Sequence, residues 1–149
     1  MKKALVIGGG GFVGLAIVQM LVEKGVEPVV AGRGSYPLVD KLGVETRRGD
    51  IRDASFVQEA VAGCDTVFHV AAKAGVWGSL QEYHSINVVG TENVIHACRN
   101  SDVGRLVYTS TPSVVFNRHD IVGGSEDLPY AADFLCHYAE FRRNRSKRP

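Results

Sequence analysis

Val6-Ile7-Gly8-Gly9-Gly10-Gly11-Phe12-Val13-Gly14 is the stretch that decides the fold. It follows a short apolar run, Lys3 to Ile7, of the kind that suits a buried parallel strand. Beyond it, Phe12, Leu15, Ala16, Val18, Met20, Leu21 and Val22 mark a helix expected to be largely buried, stopped by Gly25. Gly8, Gly11 and Gly14 are spaced Gly-x-x-Gly-x-x-Gly between strand and helix. A diphosphate rests against a helix N-terminus only where no Cβ blocks it; there it meets unpaired N–H groups and the positive end of the helix dipole. Gly8 is expected to make the tight turn, Gly11 the close approach and Gly14 the helix–strand contact, with Phe12 and Val13 counted in the same site. A glycine triplet alone also fits a flexible turn. Within a complete strand–helix–strand unit it points to a dinucleotide. No Gly-Lys-Ser/Thr follows, which excludes a kinase-type P-loop.

The pattern continues outward. Glu27 to Ala31 reads as a second strand, 32–41 as a loop or short helical turn holding Pro37, and Val44 to Arg48 as a third strand. A helix from Asp53 through Ala62 follows, then a fourth strand over Thr66 to Val70. A longer helix runs from about Leu80 to Asn100, and Arg105 to Thr109 makes a fifth strand. After an irregular segment from Pro112 to Pro129, Tyr130 to Arg143 is expected to form a last helix. Strands alternating with helices at this spacing call for an α/β, doubly wound parallel sheet of the Rossmann type in the order 3-2-1-4-5.

The remaining composition is that of one ordinary domain: 149 residues, 45% hydrophobic and 22% charged. Disordered, collagen-like and coiled-coil classes are excluded. The longest apolar stretch, Phe12 to Val22, is too short to span a bilayer, and the glycines end the N-terminal run before signal-peptide length. Three widely spaced cysteines, Cys64, Cys98 and Cys136, favour neither a disulfide framework nor a zinc site, and no metal ligand set is expected; the location expected is cytoplasmic. Residues 1–140 carry 12 basic against 16 acidic side chains, whereas 141–149 carry five basic ones and no acid. The chain therefore divides into a binding domain, 1–140, and a basic tail, 141–149, read as a solvated end rather than a nucleic-acid arm.

At the end of the second strand an NAD site usually offers a carboxylate to the ribose. Here Ala31-Gly32-Arg33-Gly34 has no acid between Glu27 and Asp40, and Arg33 suits a 2′-phosphate; NADP is preferred to NAD. Asp50-Ile51, at the end of the third strand, suits the adenine, although Asp50 is locally also an acceptable helix cap.

These landmarks carry a resemblance. With Gly49-Asp50-Ile51-Arg52-Asp53, Val67-Phe68-His69-Val70-Ala71-Ala72, Ile86-Asn87-Val88-Val89-Gly90-Thr91-Glu92-Asn93-Val94 and Leu106-Val107-Tyr108-Thr109-Ser110-Thr111-Pro112-Ser113-Val114, residues 1 to about 140 resemble the extended short-chain dehydrogenase/reductases, most of all the 3β-hydroxysteroid dehydrogenase/isomerase-like branch. The resemblance implies an oxidoreductase or redox epimerase acting on a secondary alcohol or ketone, sterol-like in class, a small-molecule partner and no nucleic acid. It adds Ala71 and Ala72 to the cofactor's path and favours Asp50 as an adenine contact. It gives Thr111 the task of holding the substrate oxygen, though Thr111 also fits a simple turn cap before Pro112. It places Tyr138 and Arg142 in a Tyr-x-x-x-Lys arrangement in which Arg stands where Lys belongs, though taken by itself Tyr138 also fits an ordinary helix-surface tyrosine. Such a phenol exchanges a proton with substrate while the cation beside it lowers its pKa. The family's chain runs on past this helix into a C-terminal substrate region, which this sequence lacks. The fifth strand is then left as an open edge, for which self-association is expected.

Overall fold

The computed structural model describes residues 1–75, 77–134 and 136–146, with side chains as far as Arg142. Five parallel strands form one sheet: β1 (Lys3–Ile7), β2 (Glu27–Gly32), β3 (Glu45–Arg48), β4 (Thr66–His69) and β5 (Arg105–Tyr108). Their order is β3-β2-β1-β4-β5, as the alternating pattern requires. β1 lies at the centre, and its residues Ala4, Leu5, Val6 and Ile7 are buried to within 1%. Register runs Ile7 beside Ala31 on one side and beside His69 on the other, so the strands' C-terminal ends come level around the glycine turn.

Helices cover both faces. α1 (Phe12–Glu23) and α2 (Pro37–Lys41), the latter through its buried Val39, pack over Ala4, Val6 and Val30; α3 (Ala54–Val61) and α5 (Gly90–Asn100) pack over Leu5, Ile7, Val29 and Val67. The alternation of Ala4 and Val6 with Leu5 and Ile7 between the two layers is the period-2 pleat of a strand covered twice. α1 corrects one expectation. Only Gly14, Val18 and Leu21 are buried, while Phe12 is 95% exposed, and Val13, Met20 and Val22 also face outward. The helix lies on the sheet along one stripe, and its first turn stands clear of the core.

The helix expected from Leu80 to Asn100 is built in three pieces: α4 (Leu80–His84), a π turn over Ser85–Val89, and α5. After β5 comes a 3₁₀ turn over Pro112–Val114. The last helix, α6 (His137–Ser146), starts later than the sequence suggests and runs through the expected boundary at residue 140, with Phe141 and Arg142 buried. The side chains of the basic tail beyond Arg142 lie outside the described residues. No helix among the described residues is long and apolar enough to cross a membrane.

Candidate cofactor cleft and the groups beyond the fifth strand

The turn after β1 is tied down by backbone alone. Gly8 N–H donates to the Ala31 carbonyl at 2.8 Å, and Gly11 N–H donates to the Gly8 carbonyl at 3.0 Å. Gly8 holds φ +87°, the left-handed region that favours glycine, and a Cβ there would meet the Ala71 nitrogen at 2.8 Å. A Cβ on Gly14 would run into the Gly8 carbonyl oxygen. Gly11 differs: a Cβ there would meet only the Gly8 carbonyl oxygen, at 3.4 Å. Gly11 is also the N-cap of α1 and brings no side-chain acceptor, and no acidic residue stands in the first turn. The opening N–H groups of the helix therefore have no side-chain cap.

This turn floors a cleft of about 490 Å³ at the C-terminal ends of the strands. Gly8, Gly11, Phe12, Val13 and Gly14 line it from the turn, Arg33 from the end of β2, Asp50 and Ile51 from the end of β3, and Ala71 and Ala72 from beyond β4. All ten residues expected at a cofactor come together around one space, between β1 and its two neighbours, where the winding of the sheet reverses.

Each wall has a local cause. Asp53 caps α3, its carboxylate accepting from the N–H groups of Ser55 at 2.9 Å and Phe56 at 3.3 Å. Asp50 is therefore not the cap of that helix. It instead accepts from the backbone N–H and the guanidinium of Arg52, the latter at 2.6 Å, and lies 3.9 Å from the Arg33 guanidinium. Chiefly through the Arg52 hydrogen bond, its carboxyl is held below the usual aspartate range. Ile51 is placed by Asn93, whose amide donates to the Ile51 carbonyl at 2.9 Å, and by Gly90, where a Cβ would meet Ile51 Cδ1 at 2.6 Å. The loop after β4 is clamped by Asn87, which accepts from Lys73 N–H and donates to the Lys73 carbonyl, both at 2.9 Å. Lys73 pairs with Glu82 at 3.2 Å, and both line the cleft. Tyr36 also lines it, unforeseen from the sequence, because the glycines that make room for it, Gly10, Gly32 and Gly34, are brought around it only by the fold.

The groups expected at the substrate sit elsewhere. Thr111 lines a second cavity, about 940 Å³, bounded by α5, β5 and the loop through Tyr130. Its hydroxyl accepts from Ser113 N–H at 3.3 Å, the turn-cap geometry. Tyr138 is half-buried on α6. Arg142, 1% exposed, donates from Nη1 to the Tyr108 hydroxyl at 2.7 Å; its guanidinium lies 4.7 Å from the Tyr108 ring centre and 5.9 Å from that of Tyr138. His69 is enclosed below them. Burial, with the Arg142 charge adding to it, lowers its pKa to about 3. Its Nε2 lies 3.0 Å from Thr91 Oγ1, whose proton goes to the Asn87 carbonyl at 2.9 Å, so Nε2 carries the imidazole proton. Among the described residues no three His, Cys, Asp or Glu side chains gather as a metal site.

The 3-beta hydroxysteroid dehydrogenase/isomerase family matches residues 5–147. The chain belongs to this family. It is 51% identical over 139 residues to a 2-alkyl-3-oxoalkanoate reductase of Stenotrophomonas maltophilia, covering 92% of this chain and 42% of that protein. It is 42% identical over 147 residues to a 3-beta-hydroxysteroid dehydrogenase of Mycolicibacterium neoaurum, covering 94% and 40%. Among solved structures, the UDP-glucose 4-epimerase of Thermus thermophilus in complex with NAD superposes with a TM-score of 0.84 at 30% identity, over 95% of this chain and 48% of the epimerase. The epimerase thus shares this sheet. The chain spans about two-fifths of the length of the curated relatives it matches.

Proposed function

We propose that this chain is the dinucleotide-binding portion of an NADP(H)-dependent oxidoreductase that interconverts a secondary alcohol and a ketone on an apolar, sterol-like frame. The observation that carries this reading is the convergence of ten residues from four separate strand ends on one cleft with an uncapped, side-chain-free helix start. The residues fit the group: Gly8, Gly11, Phe12, Val13 and Gly14 would hold the diphosphate, Asp50 and Ile51 the adenine, and Ala71 and Ala72 the stretch toward the nicotinamide. Arg33, exposed and only loosely associated with Asp50, is free to turn to a 2′-phosphate. Support from relatives is their names as reductase and steroid dehydrogenase, and the NAD carried by the epimerase.

When bound, the nicotinamide supplies or accepts a hydride. The chain's own residues then have defined tasks. The Thr111 hydroxyl orients the substrate oxygen by donating to it or accepting from it. Tyr138 gives that oxygen a proton on reduction and takes it back on oxidation. Arg142 provides the positive charge beside the phenol. A cytoplasmic location fits the free cysteines Cys64, Cys98 and Cys136.

A second reading, a module that binds NADP(H) without turnover, is favoured by one observation. The Arg142 guanidinium is buried against Tyr108. Fluorescence titration with NADPH and NADH, followed by turnover assays with a 3β-hydroxysteroid and a 2-alkyl-3-oxo acid, separates the readings. The oxidoreductase reading expects tighter NADPH than NADH binding, and turnover that rises at least about tenfold in Arg142→Lys as the compact ammonium releases Tyr108. Tight binding with no turnover in either form supports the module. No binding of either nucleotide at millimolar concentration overturns both.

A further inference from the structure

Four consecutive glycines are more than the phosphate turn uses. Gly8, Gly11 and Gly14 have tasks there; Gly9 and Gly10 do not. Gly9 is explained by the core, since a Cβ would meet Val30 Cγ2 at 2.6 Å. Gly10 is explained by Tyr36, because a Cβ on Gly10 would run into the Tyr36 ring. The same side chain accounts for two more glycines. A Cβ on Gly32 would strike the Tyr36 hydroxyl, and one on Gly34 would come within 3.1 Å of the ring. A single tyrosine thus lies across the phosphate turn and the end of β2, the two places where a dinucleotide's diphosphate and ribose would sit.

Tyr36 is held there firmly. It is the N-cap of α2 and precedes Pro37, which restricts its backbone; the helix is anchored by Val39, fully buried, and the Tyr36 carbonyl accepts from Asp40 N–H at 3.0 Å. The phenol oxygen accepts from Gly34 N–H at 3.0 Å, its one hydrogen bond among the described residues. A phenol that is accepting from an amide keeps its own proton to donate. It lines the cleft beside Arg33.

We propose that Tyr36 is a specificity-determining residue, donating its phenol hydrogen bond to the 2′-phosphate of the adenosine ribose while Arg33 supplies the opposing charge. The assignment rests on the dinucleotide reading above. A hydrogen bond to a charged oxygen is stronger than one to a hydroxyl, so the phenol favours the phosphorylated cofactor over its 2′-hydroxyl counterpart.

The test uses the full chain, titrated with NADPH and NADH by fluorescence and with 2′,5′-ADP by competition. Tyr36→Phe keeps the ring and removes the donor. NADPH and 2′,5′-ADP affinities are expected to fall about tenfold and NADH affinity by less than about twofold. Gly10→Ala, which displaces the ring without touching the phenol's chemistry, is expected to narrow the same NADPH-to-NADH ratio. Equal factors of loss for the two nucleotides in Tyr36→Phe, or no loss in either, would overturn the assignment while leaving the cleft's function intact. A wild-type chain that binds neither nucleotide would remove the dinucleotide reading, and this assignment with it.

Discussion

The strand ends around β1 and the region beyond β5 are held together by different means. Around β1 the loops are fixed by backbone bonding to neighbouring strands: Gly8 to Ala31 at 2.8 Å, Ala71 to Ile7 at 2.9 Å and Gly49 to Gly32 at 3.2 Å. Beyond β5 backbone bonds such as Ala131 N–H to the Val114 carbonyl at 2.9 Å are joined by a buried side-chain tie, Arg142 to Tyr108, and the surroundings are a largely apolar cavity lined by Ile95, Leu106, Val114 and Leu128. Backbone geometry leaves its mark on residue type, because it demands glycine. Side-chain contacts between remote positions leave no such mark. The phosphate turn is therefore written in residue type, while the contact between Arg142 and Tyr108 depends on tertiary packing.

The sharpest way to break this comparison is inside the glycine turn, where two neighbours should fail differently. Gly14→Ala puts a methyl group against the Gly8 carbonyl, which cannot retreat without moving the turn. We expect a stability loss of about 3 kcal/mol in urea denaturation, together with loss of nucleotide binding. Gly11→Ala meets one atom, at 3.4 Å, and projects into the cleft. Stability should hold to within about 0.5 kcal/mol while NADPH affinity drops roughly tenfold. If both variants lose stability equally, the turn is a purely structural element and Gly11 has no ligand to make room for.

That contrast also explains what was legible beforehand. The glycine spacing, the apolar runs and their alternation with helices point to the sheet order and to the phosphate turn, Arg33, Asp50 and Ile51, whereas Ala71 and Ala72 enter only through the family resemblance. The sequence places Tyr36 in a loop or short turn, and its partners, Gly10, Gly32 and Gly34, meet it only once the chain is folded. α1 looked buried because apolar residues surround it, yet Phe12 and Val13 belong to the cleft's rim and not to the core. The π turn at Ser85–Val89 has no pattern of its own, since one extra residue in a helix changes which face a side chain meets without changing composition. Arg142 shows the limit most plainly. Spacing put it four residues from Tyr138, whereas packing gave its guanidinium to Tyr108 on β5.

His69 joins the two regions, lying on β4 with its ring 5.6 Å from that of Tyr108, and it offers a pH test of how tightly they are joined. The imidazole is neutral in the fold, with a pKa lowered to about 3 from the ordinary 6.5 by burial and by Arg142. The unfolded chain binds the proton more readily, so stability is fully present above pH 6.5 and declines as pH falls toward the folded value. Between pH 7 and pH 5 the loss should approach about 2 kcal/mol, as read from urea midpoints. Asp65, whose pKa is lowered to about 2 mainly by the Lys2 N–H, acts only at lower pH and leaves this window to the histidine. His69→Gln, which can still donate to Thr91, should flatten the profile. A profile unchanged by that substitution would place the acid sensitivity elsewhere.

The smallest effect lies at the open edge. Among the described residues β5 pairs only with β4; it reads Arg105-Leu106-Val107-Tyr108, with Val107 39% exposed. A strand edge with unpaired N–H and C=O groups and an apolar side chain invites a second strand, and charge on such an edge opposes it. Arg105 already supplies one charge at the start of the strand, so the pairing should be weak and concentration-dependent. We expect sedimentation to show a monomer–dimer equilibrium, and Val107→Lys to raise its dissociation constant roughly tenfold without changing NADPH affinity. A chain that stays monomeric at all concentrations would show that the edge is protected as it stands. Dimerisation untouched by Val107→Lys would move the contact to another face.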